Sequence, residues 1–147
     1  MKKQTILSRI EAEQQRIIDN LRNSVNNYRS ESDLDEDNTV DPEDYSRQSE
    51  AKDMQLRFQK MLRTAENNLE IILASAEKTS DTAESGAVVV AGETYFYIGV
   101  SLPPFKIGQT EIYAFSEDAP VFKTIKDKKT GDSFDFGGKT LTITQIL

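Results

Sequence analysis

SESDLDEDNTVDPEDYSRQ, Ser30 to Gln48, is the stretch whose reading decides the fold. From Glu31 to Asp44 its acids are Glu31, Asp33, Asp35, Glu36, Asp37, Asp41, Glu43 and Asp44, with no Lys or Arg among them. It holds no apolar run that a core could use. On both sides the sequence turns to a helical apolar period. A dense group of carboxylates therefore stands between two long helices, and the chain reads as a device for placing that group.

Upstream, Ile6, Leu7, Ile10, Ile17, Ile18, Leu21, Val25 and Tyr28 recur at steps of three, four and seven, and Gln14 fills the missing seam position. This is one apolar stripe on a helix over about Thr5 to Tyr28, spanning roughly 36 Å at the rise of an α-helix. Downstream, Asp41 suits an N-cap, Pro42 the first helical position, and Glu43 and Asp44 the positive helix end. Met54, Phe58, Met61, Leu62, Ala65, Leu69, Ile72, Leu73 and Ala76 then mark a second stripe, on a helix from Pro42 or Ser46 to about Lys78. Each helix has a single stripe and needs a partner, and a short connection makes the pair antiparallel. Residues 1–78 thus read as a coiled-coil hairpin with its acidic tip at about 31–46.

Residues 79–86 form a small polar linker, and the period then changes to that of strands. Ala87 to Ala91 and Tyr95 to Val100 are two strands, Pro103 and Pro104 break the next segment, and Ile112 to Phe115 is a third strand. Ser116 suits the N-cap of a short helix reaching about Asp127. Lys129 to Asp132 is a turn, and Phe134 to Leu147 forms a final hairpin about Gly137 and Gly138. The fold class is α+β: an antiparallel helical hairpin followed, over 87–147, by a small antiparallel sheet with one short helix. A body of about 60 residues buries its own core only marginally, so docking on the base of the hairpin would help it.

A formal charge of -7 argues against a general nucleic-acid binder, since phosphate contacts need clustered cations. The chain has no cysteine and no histidine, which removes thiolate chemistry, the usual general base and the commonest transition-metal ligand. No apolar run reaches the length of a membrane span, and no apolar segment follows Lys2 and Lys3 as in a signal peptide. A soluble, cytoplasmic monomer is the expectation.

The acidic stretch carries three readings. One is a solvated loop. A second is calcium binding: Asp33, Asp35, Asp37, Asp41 and Asp44 fall on positions 1, 3, 5, 9 and 12 of an EF-hand loop, although Asn38 replaces the turn glycine and Asp44 the longer Glu. The third is magnesium shared with a partner, because one or two carboxylates can hold an ion whose other ligands belong elsewhere. Cations also line the arms: Arg9, Arg16, Arg22 and Arg29 on the first, Lys52, Arg57, Lys60 and Arg63 on the second. They read as solvated flanks, with a guide for nucleic acid as the functional alternative.

The C-terminal motifs bring a family into view. Phe115-Ser-Glu-Asp-Ala-Pro-Val121 resembles the I-S-x-x-S-P-L segment of the Gre family of bacterial transcript-cleavage factors. Lys128 to Phe134 resembles that family's G-K-K-V-G-D-x-V turn, and Leu141 to Leu147 its closing strand. The resemblance implies an FKBP-like C-terminal domain that docks on RNA polymerase at the rim of its secondary channel, with Ser116, Asp118, Pro120, Lys129, Gly131 and Asp132 as docking residues. It implies that the hairpin enters the channel near the RNA 3′ end. Tip acids, here Asp33, Glu36, Asp37, Asp41 and Asp44, would then help hold a magnesium ion shared with the polymerase, with no tightly bound cofactor. The polymerase itself cuts backtracked RNA, and the factor is not an enzyme. Two frames compete for the family's D-L-S-E-N tip motif. Asp33-Leu34-Asp35-Glu36-Asp37 keeps both acids, whereas Asp44-Tyr45-Ser46-Arg47-Gln48 keeps Asp44 and puts Arg47 at the Glu position. The second frame implies a channel-binding regulator without cleavage activity. A calcium-binding coiled-coil adaptor using loop 33–44 is the alternative from another class.

Overall fold

Two apolar stripes at helical spacing give two long helices, α1 (Lys3–Asp33) and α2 (Pro42–Ser75). The computed structural model describes residues 1–33 and 42–147 and, of Asp33, the backbone alone. Seven strands and one short helix follow: β1 (Val88–Ala91), β2 (Thr94–Ile98), β3 (Leu102–Ile107), β4 (Thr110–Phe115), α3 (Pro120–Ile125), β5 (Ser133–Phe136), β6 (Lys139–Thr142) and β7 (Gln145–Ile146). The expected α+β order is present: a long helical hairpin, then a small sheet and a short helix. The chain divides into two units, Gln14–Asn67 and a second made of Met1–Glu13 with Asn68–Leu147.

In the first unit the helices meet along a narrow seam. Ile18 and Val25 of α1 and Ala51 and Ala65 of α2 are buried. Gln14 is buried at the seam position assigned to it, and its Nε2 donates to the Ala65 carbonyl at 2.9 Å. Further along, Tyr28 stacks on Phe58 with centroids 5.5 Å apart, and Ser32 meets the buried Gln55. Residue 14 thus pairs with 65, 28 with 58 and 32 with 55, which is an antiparallel register. The α2 stripe departs from expectation in detail. Met61 and Leu73, counted among its members, are exposed, and Ala51, Gln55 and Ser75 take buried positions. Small and amide-bearing residues let two helices approach where large side chains would hold them apart. α1 also continues to Asp33, past the expected Tyr28, since no Gly or Pro stops it.

In the second unit the sheet has the order β3-β4-β2-β1-β7. Its pairs are antiparallel except β2 with β4, which is parallel. Pro103 and Pro104 lie inside β3 rather than ending it, and the physical reason is position: β3 is an edge strand. Proline has no N–H for the ladder, and the β3–β4 register slips between Leu102 and Phe105, where the prolines stand. The final hairpin is also rearranged. β5 and β6 make their own two-stranded sheet, and β7 leaves it to pair with β1.

One sheet face carries Val89, Ala91, Phe96, Ile98 and Phe115, closed over by Phe122 and Ile125 of α3, Phe134 of β5 and Ile143. Phe96 is its centre, touching the rings of Tyr113, Phe115, Phe134 and Phe136 at centroid distances of 4.9–6.3 Å. Alternation sends Tyr97 to the opposite face, where its hydroxyl meets Ser75 of α2 at 2.9 Å. Ser75 Oγ already donates to the Ile71 carbonyl, so Tyr97 is the donor of this pair. A Cβ on Gly99 would lie 2.5 Å from that hydroxyl, which is why residue 99 has no side chain. Arg9 of α1 lies 5.5 Å over the Phe105 ring, and Ile6, Leu7, Ile10 and Ile72 are buried in the same unit. The helix bases and the sheet share one body. The linker 79–86 is pinned to it: Ala83 N–H donates to the Lys128 carbonyl, and Gly86 N–H to the Ile98 carbonyl.

Candidate functional site: the acidic tip and the C-terminal motif segments

The site expected from the sequence is the acidic stretch. Of its members, Asp35, Glu36, Asp37 and Asp41 lie outside the described residues, as does most of the EF-hand-like loop 33–44. Asp33 is the last residue of α1. α2 begins at Pro42 as the helix-start signals indicate, with Glu43 and Asp44 in its first turn. Asp44 is exposed and forms an ion pair with Arg47 at 3.1 Å, one helical turn on. Among the described residues, no group of three or more acids is placed to hold a metal.

The described part of the tip fits magnesium in a limited way. Magnesium takes hard oxygen ligands and commonly only one or two carboxylates from the protein. Asp44 can supply one such oxygen from an exposed position. Its charge is offset by Arg47 and by the positive end of α2, so the ion would need other anionic ligands from a partner.

The C-terminal motif segments sit at the two ends of α3. Ser116 is not the N-cap of that helix. α3 starts at Pro120, its N-cap is Ala119, and no side chain caps it. Ser116 is instead the pivot of the turn out of β4. Its N–H donates to Ser101 Oγ at 3.1 Å, its carbonyl accepts from Ala119 N–H at 3.1 Å, and its Oγ accepts from Asp118 N–H at 3.4 Å. Pro120 occupies the first turn of α3, where its missing N–H costs nothing. Beyond α3, Lys129, Gly131 and Asp132 form a self-closed turn. Asp132 Oδ2 accepts from Lys129 N–H at 2.8 Å, and Asp132 N–H donates back to the Lys129 carbonyl at 3.0 Å. Gly131 has φ +96°, a conformation that favours glycine, and its N–H donates to the Ile143 carbonyl. Folding thus accounts for the residue types of Ser116, Pro120, Gly131 and Asp132, whereas Asp118 and Lys129 contribute only backbone atoms to these contacts. Lys129, Gly131 and Asp132 remain exposed and available to a partner.

The cationic row on α1 is partly neutralised locally. Arg9 pairs with Glu13 at 3.2 Å, and Arg22 approaches Asp19 at 4.0 Å. Pattern reading missed two features: the Tyr97–Ser75 contact, and a set of large apolar residues on the outside of α2. The exposed Tyr45 and Leu56 carried a signal, since neither falls on the seam spacing.

The fold and these segments define a class: a helical hairpin bearing acids between its arms, followed by a small sheet domain. No family model matches the chain, and no curated protein matches it. Among solved structures it is similar to the crystal structure of GreA factor homolog 1 (Gfh1) of Thermus thermophilus, at 15% identity over 93% of this chain and 94% of that one, with a TM-score of 0.35. A likeness so distant assigns no family. No helix among the described residues is long and apolar enough to cross a membrane.

Proposed function

We propose that the protein is a Gre-like transcription factor. It binds RNA polymerase at the secondary channel, with its sheet domain at the channel rim and its hairpin inside. The observation that carries this reading is the antiparallel register of α1 and α2, which brackets the acid-dense segment between the two arms. The C-terminal segments Phe115–Val121 and Lys128–Phe134 support the same assignment. Tip carboxylates, from Asp33, Glu36, Asp37, Asp41 and Asp44, are presented to the magnesium of the polymerase and promote cleavage of backtracked RNA. The protein supplies no catalytic residue of its own and acts as a monomer in the cytoplasm.

One observation favours a second reading within the class. Arg47 stands at the Glu position of the second tip frame and pairs with Asp44. A tip in which Asp44 is already compensated suits a regulator that occupies the channel without promoting cleavage.

Purified protein mixed with its cognate RNA polymerase is expected to co-elute, and to lose this when residues 87–147 are replaced by an unrelated domain. Failure of the intact protein to bind ends the proposal. Stalled, backtracked complexes then separate the two readings. Faster RNA shortening that Asp33→Ala/Glu36→Ala abolishes supports cleavage promotion, whereas binding without shortening supports the regulator. Calorimetry with Ca²⁺ on the isolated protein addresses the adaptor: tight binding without polymerase would favour it.

A further inference from the structure

The two helices of the unit Gln14–Asn67 have unlike outer surfaces. Among the described residues the exposed large apolar side chains are Met1, Tyr45, Leu56, Met61, Ile71 and Leu73. All but Met1 belong to α2, and none belongs to α1. Within the first unit, steps of four and three place Tyr45, Ser49, Lys52, Leu56, Lys60 and Arg63 on one line along α2. At roughly 100° per residue Leu56 lies about 100° from the buried Gln55, 140° from Ala51 and 180° from Ala65, so this line runs along the outer flank of α2, outside the seam. Tyr45 is 74% and Leu56 53% exposed. No acid lies on the line from Tyr45 to Arg63, in a chain with 25 acids and 18 bases. Lys52, Lys60 and Arg63 have no ion pair among the described residues.

A solvated flank would place its cations beside acids and keep large apolar groups in the seam. Here a leucine sits one turn from a lysine on either side, with an aromatic ring at the distal end. We infer that this line is a docking surface for an acidic protein surface that offers an apolar recess to Leu56. Charge complementarity selects an anionic occupant, and Leu56 selects protein over nucleic acid. A base stacks on a ring face, which leucine lacks, and a phosphate backbone gains nothing from a buried isobutyl group. The hairpin then has a partner side on α2 and a solvent side on α1. This rests on the function proposed above, where the acidic surface belongs to the polymerase; docking along α2 sets the rotation of the hairpin about its axis and so chooses which tip acids face the metal.

The test measures the affinity of the full chain for cognate core RNA polymerase by fluorescence anisotropy at low and moderate salt. Lys52→Glu/Lys60→Glu/Arg63→Glu is expected to weaken binding by about tenfold or more and to remove most of its salt dependence. Leu56→Ser is expected to weaken it by about three- to tenfold at either salt concentration. Arg29→Glu on α1 should stay within about twofold. Circular dichroism should show unchanged helix content in all three, since the altered side chains are exposed. If the native chain binds polymerase and the triple variant binds equally well, the docking surface is overturned while the proposed function stands. If the native chain does not bind at all, both fall. Binding of a 20-nucleotide single-stranded RNA that the triple reversal abolishes and Leu56→Ser spares would overturn the protein occupant in favour of a polyanion track.

Discussion

The hairpin unit and the sheet unit solve the same problem by opposite means. In Gln14–Asn67 two helices share one narrow seam, and amides sit inside it: Gln14 bonded to the Ala65 carbonyl, Gln55 beside Ser32. In the sheet unit both faces of β1 and β2 are covered, and Phe96 touches four aromatic rings. A buried amide gives little net stability but penalises every register that leaves it unpaired. Buried aromatic volume gives stability with less demand on pairing. The difference suggests a hairpin selected for alignment of its arms and a sheet domain selected for cohesion.

The contrast is open to attack, and the strongest blow falls on the sheet. Phe96→Ala should cost about 3–5 kcal/mol, read as a lowered urea midpoint of the tryptophan-free chain by circular dichroism. A cost below about 1 kcal/mol would remove Phe96 from the centre of that core. Gly99→Ala comes next, at about 1–3 kcal/mol, because the new methyl must displace the Tyr97 hydroxyl. Nuclear magnetic resonance should show the Ser75–Tyr97 contact broken, and an intact contact would mean the strand has room to give.

Tyr97→Phe removes one hydrogen bond and should cost about 1 kcal/mol at neutral pH. Burial pushes the Tyr97 phenol above its ordinary value. The folded chain therefore keeps this proton after the unfolded chain has lost it. That contribution is whole below about pH 10 and is lost as pH rises through the folded value. The gap between native and Tyr97→Phe should shrink above pH 10, and a gap that widens there would contradict the sign. Ser80→Ala should be neutral or gain up to about 1 kcal/mol, because Ser80 Oγ is buried and has no partner among the described residues. Smallest is Gln14→Leu, expected within about 1 kcal/mol of native in thermal unfolding. Its effect should instead appear as doubled resonances for Tyr28 and Phe58, reporting mixed registers. A loss above 2 kcal/mol would make the amide a principal stabiliser and erase the contrast.

Much of this architecture was legible because helices advertise their buried side by spacing. Ile6, Ile10, Gln14, Ile18 and Val25 were all readable as one seam, and Pro42 as a helix start. On α2 the same rule misplaced Met61 and Leu73, since spacing weights large apolar residues, whereas the buried positions went to Ala51 and Gln55 in the seam and to Ser75 against Tyr97 of the sheet. Pro103 and Pro104 read as a break because local pattern carries no information about edges. The parallel pairing of β2 with β4 was invisible for a related reason: strand order depends on contacts remote in sequence. At the candidate site the composition of residues 31–44 was plain, and Asp44 proved to be paired with Arg47, a neighbour at helical spacing that reading the charges as a list had not joined.

The two prolines of β3 carry one more consequence. The exposed border of a sheet is a template on which a second chain can add a strand, and such growth ends in aggregates. Pro103 and Pro104 remove two consecutive backbone donors from this edge strand, whose register against β4 slips between Leu102 and Phe105, so an incoming strand would find an incomplete ladder. One flank of the sheet is thereby protected by covalent structure rather than by charge.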